Sequence, residues 1–265
     1  MSEYISQQAL EIGLVALTGF AVGSFLNALI HRLPRGIKFG LSRSQCPHCG
    51  VTIGLKDNIP VISYLILKAK CRSCRKPISI RYPLVESLNA GVYFWLYWYF
   101  GFSWELLGLW PLSSALIAII FIDLEHMIIP DKITLPGIAV GLAYSLTPYG
   151  MGALNSAIGI LVGGGALYLI ALLGEALFKK ESMGGGDIKM AAMMGAFLGW
   201  QKVILVFMLA ASIGLVISIV LMAISQKFRR ERMIPFGPFL ATACFVALLY
   251  GDRMIDFYMM YVRGL

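Results

Sequence analysis

Long apolar stretches separated by short polar ones dominate this chain of 265 residues. A helix needs about 20 mostly apolar residues to cross a bilayer, and several of these stretches approach that length. The pattern predicts eight spans, at residues 9–31, 84–100, 106–122, 133–149, 153–177, 188–200, 202–225 and 236–251. The sixth is short, so we expect it to be tilted or to form a helical hairpin with the seventh. The amphipathic tail 252–265 is expected to lie on the membrane surface.

Composition supports this interpretation. The chain is 58% hydrophobic and only 14% charged, and its mean hydropathy is +0.78. Soluble domains are nearer half apolar and a quarter charged. The N-terminal segment carries Glu3 and Glu11 but no cation, so we expect a retained first helix instead of a cleaved signal peptide. The predicted fold class is an all-α polytopic membrane protein of about eight transmembrane helices with a small loop domain.

Charge predicts the orientation. Residues 32–83 hold 11 of the chain's 22 Lys and Arg and one acid, Asp57, which gives this segment a net charge of +10. The positive-inside rule places it in the cytoplasm, and alternation of the spans then places both termini outside. The predicted domains are a first transmembrane helix at 1–31, a basic cytoplasmic loop at 32–83 and a multi-helix membrane domain at 84–265.

Four cysteines in this loop form two C-x2-C pairs with 21 residues between them. Two such pairs complete a tetrahedral zinc site, and four protein ligands leave no position for a catalytic water, so the expected metal is structural. The alternatives are reduced thiols without metal or a small redox-active loop, although a cytoplasmic setting disfavours disulfides. His48 could compete as a ligand, and Cys244 is expected to be a small buried residue. The predicted ligands are Cys46, Cys49, Cys71 and Cys74.

The excess of positive charge in the loop suggests that it binds an anionic partner. Anionic lipid headgroups are the expected one, at roughly 1 kcal/mol per cation near the surface. Nucleic acid is not expected, because the loop is tethered to the membrane and has few aromatic residues on which bases could stack.

Two aspartates are predicted at the same depth. Asp123 ends the third apolar span, and Asp187 follows a run of three glycines at the start of the sixth. An ionised group near the hydrocarbon costs roughly 2.5–3.5 kcal/mol on the insertion scale, and less towards the interface. If their helices are neighbours, the two carboxyls would share one proton, one acting as the base for a water and the other as the acid. The glycines would let a substrate backbone approach and the chain bend.

Simpler interpretations stay open from physics alone. Asp187 has the sequence context of a helix N-cap, and a capping role for the fourth span is preferred for Asp131. Asp123 is harder to explain in this way, because it lies at a helix end where the dipole disfavours anions. The residues themselves do not decide between a catalytic dyad and caps or interfacial charges.

Several motifs together identify a resemblance that covers nearly the whole chain. The GxGD pattern alone is weak, because presenilin-type and signal-peptide-peptidase-type proteases share it, but its combination with the double C-x2-C loop is highly specific. The chain resembles the bacterial type IV prepilin peptidases, a family of membrane aspartic proteases. The matching segments are Gly23–Pro34, Cys46–Cys49, Asn58–Leu65, Cys71–Cys74, Ile78–Glu86, Asp123–Asp131 and Gly184–Lys189.

The resemblance implies that Asp123 and Asp187 are the catalytic pair. It also implies cleavage of a short basic leader, after a glycine, from type IV prepilins or type II secretion pseudopilins at the cytoplasmic face of the bacterial inner membrane. The leader is itself basic, so the basic loop is expected to contact lipid or the glutamate a few residues past the cleavage site. The supporting motif residues are Gly184, Gly186, Lys189, Glu125 and Asp131.

Most full-length members of the family also N-methylate the new N-terminal residue with S-adenosylmethionine. This chain has no G-x-G-x-x-G motif, so a soluble-type cofactor fold is not expected. We expect the cofactor near the zinc loop, with Glu86, Asn89 and Arg81 as candidates by position. Asn27 and Glu175 are alternatively helix-packing hydrogen bonders, and the glycines at 163–165 are expected to allow close helix packing.

Two rival functions are weighed. A proton-coupled transporter could use Asp123, Asp187 and Glu175 as a relay, but the acids cluster at one face and no inverted repeat is visible. A scaffold of a pilus or secretion assembly could dock a partner through the zinc loop, but it would leave the paired aspartates without a purpose.

Overall fold

The computed structural model describes residues 2–37, 44–179, 183–224 and 234–263. Within these ranges the chain is helical and has no β-strand, only two isolated bridges in the cysteine loop. The loop also holds a short 3-10 turn, Leu55–Asp57. The helices are α1 (Ser2–Arg32), α2 (Ile62–Ile66), α3 (Arg81–Phe100), α4 (Leu106–His126), α5 (Asp131–Ser145), α6 (Ala153–Phe178), α7 (Gly185–Ile224) and α8 (Gly237–Arg263).

Five of the described helices are long and apolar enough to cross a membrane, namely α1, α4, α6, α7 and α8. Helix α3 has 20 residues and α5 has 15, and they coincide with two further predicted spans. Many large apolar side chains, among them Leu154, Leu161 and Leu177, are exposed on these helices. Such surfaces are typical of proteins that face lipid. The chain is therefore a multi-pass all-α membrane protein, although a count of eight spans stays a prediction.

The chain turns back within α7. Gly199 has φ 78° and ψ 174°, so two helical segments meet there. A side chain added at Gly163 of α6 would contact both Ala191 and Val203. Twelve residues of straight helix would separate those two positions by about 18 Å. The hairpin predicted from the short sixth span is thus confirmed, and Gly199 supplies its left-handed turn.

Helix α8 is longer than predicted. The sequence pattern ends this span at residue 251, whereas the helix continues to Arg263. Phe257, Tyr258 and Tyr261 are exposed on this last part. The amphipathic tail is a continuation of the helix and not a separate segment.

The chain forms two compact units, Met1–Ala118 and Ile119–Leu265. In the first unit α1 packs against α3 through glycines, since a Cβ at Gly19 would lie 2.7 Å from Ala90 Cα and one at Gly23 would lie 2.7 Å from Glu86 Cα. Small residues four apart are the usual means of close helix contact in membranes. The three-part division at residues 31 and 83 is a different partition and stays a prediction.

A buried polar network joins α1, α3 and α4 in the first unit. Asn89 Nδ2 donates to the Gly19 carbonyl at 2.8 Å, and Ser114 Oγ lies 2.9 Å from both Asn89 Oδ1 and the Tyr93 hydroxyl. The Tyr93 ring stacks on Trp110 with centroids 4.7 Å apart. Asn89, a cofactor candidate by position, is therefore occupied in helix packing.

The α1–α3 contact gives a testable prediction. Gly23→Ala is expected to destabilise the protein by about 1–3 kcal/mol, because the added methyl group meets the α3 backbone. Gly13→Ala is the matched control, since no atom lies within 4 Å of its added Cβ. Thermal unfolding in detergent should show a lower midpoint for Gly23→Ala alone. Equal midpoints for the two variants would contradict the packing described here.

In the second unit, α6 and α7 also meet through glycines. A Cβ at Gly159 or at Gly195 would overlap the backbone of the other helix. Gly163 and Gly164 likewise face Ala191 and Ala192, which confirms the close packing predicted for these two glycines. The prediction is wrong for Gly165, because no atom lies within 4 Å of a Cβ added there. Cys244 on α8 is buried, as predicted. This packing fixes the start of α7, which carries Asp187.

Candidate active site

Asp123 lies in the last turn of α4 and is only 5% exposed. Its Oδ2 accepts a hydrogen bond from the backbone N–H of Gly237 at 3.0 Å. That amide belongs to the first residue of α8, where helical N–H groups have no partner within their own helix. The start of α8 therefore holds a buried carboxylate at the end of α4.

Asp187 lies in the first turn of α7, inside the helix instead of at the N-cap position. Its Oδ1 is buried and has no hydrogen-bond partner among the described residues. The Asp187 carboxylate is close enough to the Asp123 carboxylate for the two charges to interact. The structure thus brings together the two aspartates that the sequence placed at the same depth.

Ile129 packs against the start of α7, which carries Asp187, and against the start of α8, which binds Asp123. A Cβ at Gly186 would lie 2.7 Å from Ile129 Cβ, and a Cβ at Gly237 would lie 2.7 Å from Asp123 Oδ2 and 3.2 Å from Ile129 Cδ1. Both positions therefore require glycine for space and not for an unusual φ angle. The chain reaches Ile129 through Met127, whose φ of 53° is unusual for a residue with a side chain.

The supporting motif residues occupy distinct places around the pair. Lys189 Nζ contacts both carboxylate oxygens of Asp131 at 2.7 Å and so links the starts of α5 and α7. Pro130, not Asp131, is the N-cap of α5, and the cap makes no side-chain hydrogen bond. The preferred capping role of Asp131 is therefore wrong, because its carboxylate pairs with Lys189 instead.

Two other motif residues lie at the edge of this arrangement. A Cβ at Gly184 would lie 3.1 Å from Asp187 Oδ2, so this glycine borders the carboxylate directly. Glu125 is exposed, and its Oε2 is 3.9 Å from His126 Nε2. Glu125 follows Asp123 by two residues but is exposed, whereas Asp123 is buried.

Sequence reasoning missed the contributions of Gly237 and Ile129. Gly237 acts through its backbone N–H and through the absence of a side chain, and neither property marks it in the sequence. The available signal was its position between Pro235 and Pro238 at the predicted start of the last span. Glycine next to proline there indicates a specific backbone path at a helix start.

The four loop cysteines converge as predicted. Their sulfur atoms all lie within 4.8 Å of one another, and Cys46 Sγ is 3.9 Å from Cys74 Sγ. Zinc bonded to four sulfurs at about 2.3 Å would hold the sulfurs about 3.8 Å apart. The cluster therefore fits a tetrahedral metal ion and leaves no open ligand position.

The two C-x2-C pairs are structural repeats offset by 25 positions. Cys46 N–H donates to Val51 O at 3.0 Å, and Cys71 N–H donates to Lys76 O at 2.9 Å in the equivalent place. Gly50 and Arg75 occupy the same left-handed turn position, with φ of 69° and 60°. Arginine is a poor residue for that backbone conformation, so the surrounding hydrogen bonds must hold it there.

The Cys46 and Cys49 thiols act on each other. Burial raises the pKa of the Cys46 thiol, but hydrogen bonds from the His48 and Cys49 backbone amides and from neighbouring cysteines lower it to about 7. The Val51 backbone lowers the pKa of the Cys49 thiol, but burial and the Cys46 and Cys74 sulfurs raise it to about 11.

A bidentate pair between Arg72 and Asp57 closes the loop, with its shortest contact at 2.7 Å. The Arg72 guanidinium holds the pKa of Asp57 below its usual range.

Loss of one ligand gives a second prediction. Cys71→Ser is expected to abolish stoichiometric metal binding and leave the loop open to proteolysis, because metal binding supplies folding free energy in such small sites. Cys244→Ala is the matched control, since Cys244 lies outside the cluster. Metal content measured by mass spectrometry should fall only for Cys71→Ser. Unchanged metal content in that variant would contradict the four-cysteine site.

Comparison with known proteins covers both units. Residues 17–100 match the "Bacterial Peptidase A24 N-terminal domain", and residues 110–219 match the "Type IV leader peptidase family". No solved structure gives a significant match.

Curated relatives match over most of their length and share one printed name, "Prepilin leader peptidase/N-methyltransferase". The relative from Stutzerimonas stutzeri is 38% identical, and the match covers 98% of each chain. The relative from Aeromonas hydrophila is 36% identical over 94% of each chain. The relative from Myxococcus xanthus (strain DK1622) is 40% identical over 77% of this chain and 61% of its own. By this similarity along nearly its whole length, the chain belongs to the type IV leader peptidase family.

Proposed function

We propose that this protein is a membrane aspartic endopeptidase that removes the short basic leader from type IV prepilins, type II secretion pseudopilins or both. The observation that carries the proposal is the meeting of two helix starts at Ile129: Gly186 of the segment that carries Asp187 and Gly237, whose N–H binds Asp123, both pack against this residue. Family membership and the printed names of the relatives support the same reaction.

The pair performs hydrolysis with one shared proton. One carboxylate takes a proton from a water molecule, whose oxygen then bonds to the carbon of the scissile carbonyl. The carbon–nitrogen bond breaks as the other carboxyl gives its proton to the departing amine, which is the arrangement of the aspartic proteases. The Gly237 N–H keeps Asp123 oriented, while Oδ1 of Asp187 has no partner in the described structure and so can bind the water.

The remaining motif residues shape this site. Gly184 and Gly186 leave room beside Asp187, where an extended substrate backbone can approach. Lys189 and Asp131 hold the starts of α5 and α7 together. Glu125 is exposed beside His126. None of these five motif residues acts on the reacting atoms in this mechanism.

The metal of the loop is zinc, held by Cys46, Cys49, Cys71 and Cys74. The sulfur spacing and the repeated knuckles support this assignment. Four thiolates saturate a tetrahedral ion, so zinc stabilises the loop and does no chemistry.

N-methylation is the second proposed activity, and the printed names of the relatives favour it. The methyl donor is S-adenosylmethionine. When bound, it supplies a methyl carbon to the lone pair of the neutral N-terminal amine as the carbon–sulfur bond breaks, which leaves a neutral thioether and releases the amine's proton to water.

We also propose that the protein lies in the bacterial inner membrane, with the loop and the aspartates facing the cytoplasm. The net charge of +10 on residues 32–83 supports this orientation. Anionic lipids are the proposed partners of the loop, and nucleic acid is not a partner. The proposed domains are the first helix at 1–31, the zinc loop at 32–83 and the peptidase domain at 84–265.

The proposal is tested with purified full-length protein in detergent, a prepilin and product masses read by mass spectrometry. The expected products are the leader ending in glycine and a mature chain that gains one methyl mass when S-adenosylmethionine is added. A transporter or a scaffold would leave the prepilin intact, and that result with folded, zinc-loaded protein would overturn the proposal.

A further inference from the structure

Helix α2 in the cysteine loop turns its apolar side chains outward. Ile62, Leu65 and Ile66 are 53%, 68% and 69% exposed, and residues three and four positions apart lie on one face of a helix. Ser63, on another face, is only 6% exposed. A helix on the surface of a soluble domain has the opposite arrangement, with its apolar stripe packed on the core. We call the three exposed side chains the α2 wedge.

The fold holds the wedge in this orientation. Ser63 Oγ accepts the Ile59 N–H and donates to the Lys56 carbonyl, both at 3.0 Å, so hydrogen bonds tie another face of α2 to the preceding turn. Val61 before α2 and Lys68 after it have φ of 58° and 50°. Residues with side chains keep such a backbone only where their surroundings hold it. The outward apolar face is therefore a fixed feature of the loop.

A contact with α3 indicates the depth of α2. Glu86 Oε2 accepts the N–H of Val61, the residue before α2, at 2.8 Å. Glu86 is the sixth residue of α3, so it lies about 7.5 Å along that helix from Arg81. The headgroup layer on each side of the hydrocarbon is about 5–7 Å thick. Helix α2 thus lies beside the first turns of the span predicted at 84–100, at the level of the membrane surface.

The surroundings of the wedge are cationic. Lys68 and Lys70 follow α2 and are exposed, and Lys56 is exposed in the turn that precedes it. Asp57, the one acid of the loop, is paired with Arg72 at 2.7 Å. An apolar face bordered by lysines is the arrangement that binds anionic headgroups above a hydrocarbon layer. Charge and depth therefore both favour lipid as the partner of this face.

We propose that the α2 wedge inserts into the cytoplasmic leaflet, with its three aliphatic side chains among the acyl chains and the neighbouring lysines at anionic headgroups. The inference deepens the partnership with anionic lipid proposed for the loop and rests on that part of the proposed function. It assigns the contact to one helix and makes it apolar as well as electrostatic. The wedge residues are neither zinc ligands nor part of the aspartate site, so variants there test membrane contact alone.

The direct test is photo-crosslinking of full-length, zinc-loaded protein in nanodiscs of phosphatidylglycerol and phosphatidylcholine. The photoreactive residue p-benzoylphenylalanine replaces Leu65 in one variant. In the matched control it replaces Val51, an exposed aliphatic residue just after the first C-x2-C pair. Mass spectrometry of the peptides is expected to find adducts to lipid acyl chains at residue 65 and not at residue 51. Equal adducts at both positions, none at residue 65, or adducts there to a second copy of the chain would overturn the insertion.

Hydrogen exchange of the α2 amides is a second measurement that needs no photoreactive residue. In the same nanodiscs, Leu65→Gln is expected to make these amides exchange about 10- to 100-fold faster, because burial of a large aliphatic side chain in lipid no longer opposes local opening. Leu65 is exposed in the protein itself, so only an outside partner can produce this effect. Val51→Gln is the control and should leave the exchange unchanged. Equal exchange in wild type and Leu65→Gln would overturn the insertion, and this result decides if the photoreactive variant fails to fold.

A third position separates the wedge from the broader lipid partnership. With p-benzoylphenylalanine in place of Lys56, lipid adducts there but none at residue 65 would leave anionic lipid as the partner of the loop and overturn the wedge alone. If neither position gives lipid adducts, the lipid partnership fails as well. None of these readouts depends on leader cleavage, so the peptidase proposal stands or falls separately.

Discussion

Replacement of either Asp123 or Asp187 by Asn is expected to reduce leader cleavage by about 10³- to 10⁴-fold. Asn has nearly the same shape as Asp, and its amide oxygen can still accept the Gly237 N–H that Asp123 accepts at 3.0 Å. It cannot take up or release a proton under these conditions, so the water is not activated. Initial rates of cleavage of a purified prepilin in detergent measure the effect.

Asp252→Asn is the matched control for these variants. Asp252 is an acid of the same unit whose carboxylate pairs with Lys202 at 2.8 Å on the exposed surface. An exposed ion pair contributes at most about 1 kcal/mol, so this variant should keep the wild-type rate. Cleavage within about tenfold of wild type by folded Asp123→Asn or Asp187→Asn would exclude the general acid–base role.

Gly186→Ala is expected to reduce cleavage by about 10²-fold, because a misplacement of about 1 Å has that effect on a positioned catalytic group. Its added Cβ would lie 2.7 Å from Ile129 Cβ and 3.1 Å from Ile129 O. Backbone atoms cannot rotate away, so the start of α7 must move and take Asp187 with it.

Gly185→Ala tests whether the loss of cleavage comes from the contact with Ile129 or from a general need for flexible glycines in this run. The two residues are neighbours in the same run, but a Cβ at Gly185 has no atom within 4 Å. Cleavage rates of the two variants are compared at equal zinc content and equal unfolding midpoint. Equal losses for both would mean that the run is needed for flexibility and not for close contact with Ile129.

The lengths of the apolar stretches predicted the helices well, because a helix needs about 20 apolar residues to cross a bilayer. The break at Gly199 was visible for the same reason, since a span of 13 residues at 188–200 is too short to cross alone. The end of α8 was not predicted, because a helix can continue past the hydrocarbon without any change in local propensity. Whether α8 continues past residue 251 depends on what surrounds the helix there and not on its own sequence.

The two aspartates were predicted as a pair from their depth and from the family resemblance, but their supports were not. Gly237 works through its backbone N–H, which every residue except proline has, so its role depends entirely on where α8 begins. Asp131 was assigned as a cap because local sequence favours that role, whereas its charge finds Lys189 from another helix. Contacts between residues distant in sequence decide both cases.

In the cysteine loop, too, the sequence predicted one part of the structure and not another. The C-x2-C spacing predicted the cluster, since two thiolates at that spacing can reach one metal. The left-handed backbone of Arg75 was not predictable from residue type, because glycine is the usual residue there. Only the 25-position repeat relates Arg75 to Gly50.

In the proposed mechanism, Asp123 and Asp187 touch the reacting atoms of a substrate. The most direct test is the Kd of a prepilin analogue whose scissile peptide group is replaced by a hydroxyl-bearing isostere. Wild type is expected to bind this analogue at least about 10²-fold more tightly than the uncleaved prepilin, and Asp187→Asn is expected to lose this preference. Equal affinity of wild type and Asp187→Asn for the analogue would contradict a catalytic dyad.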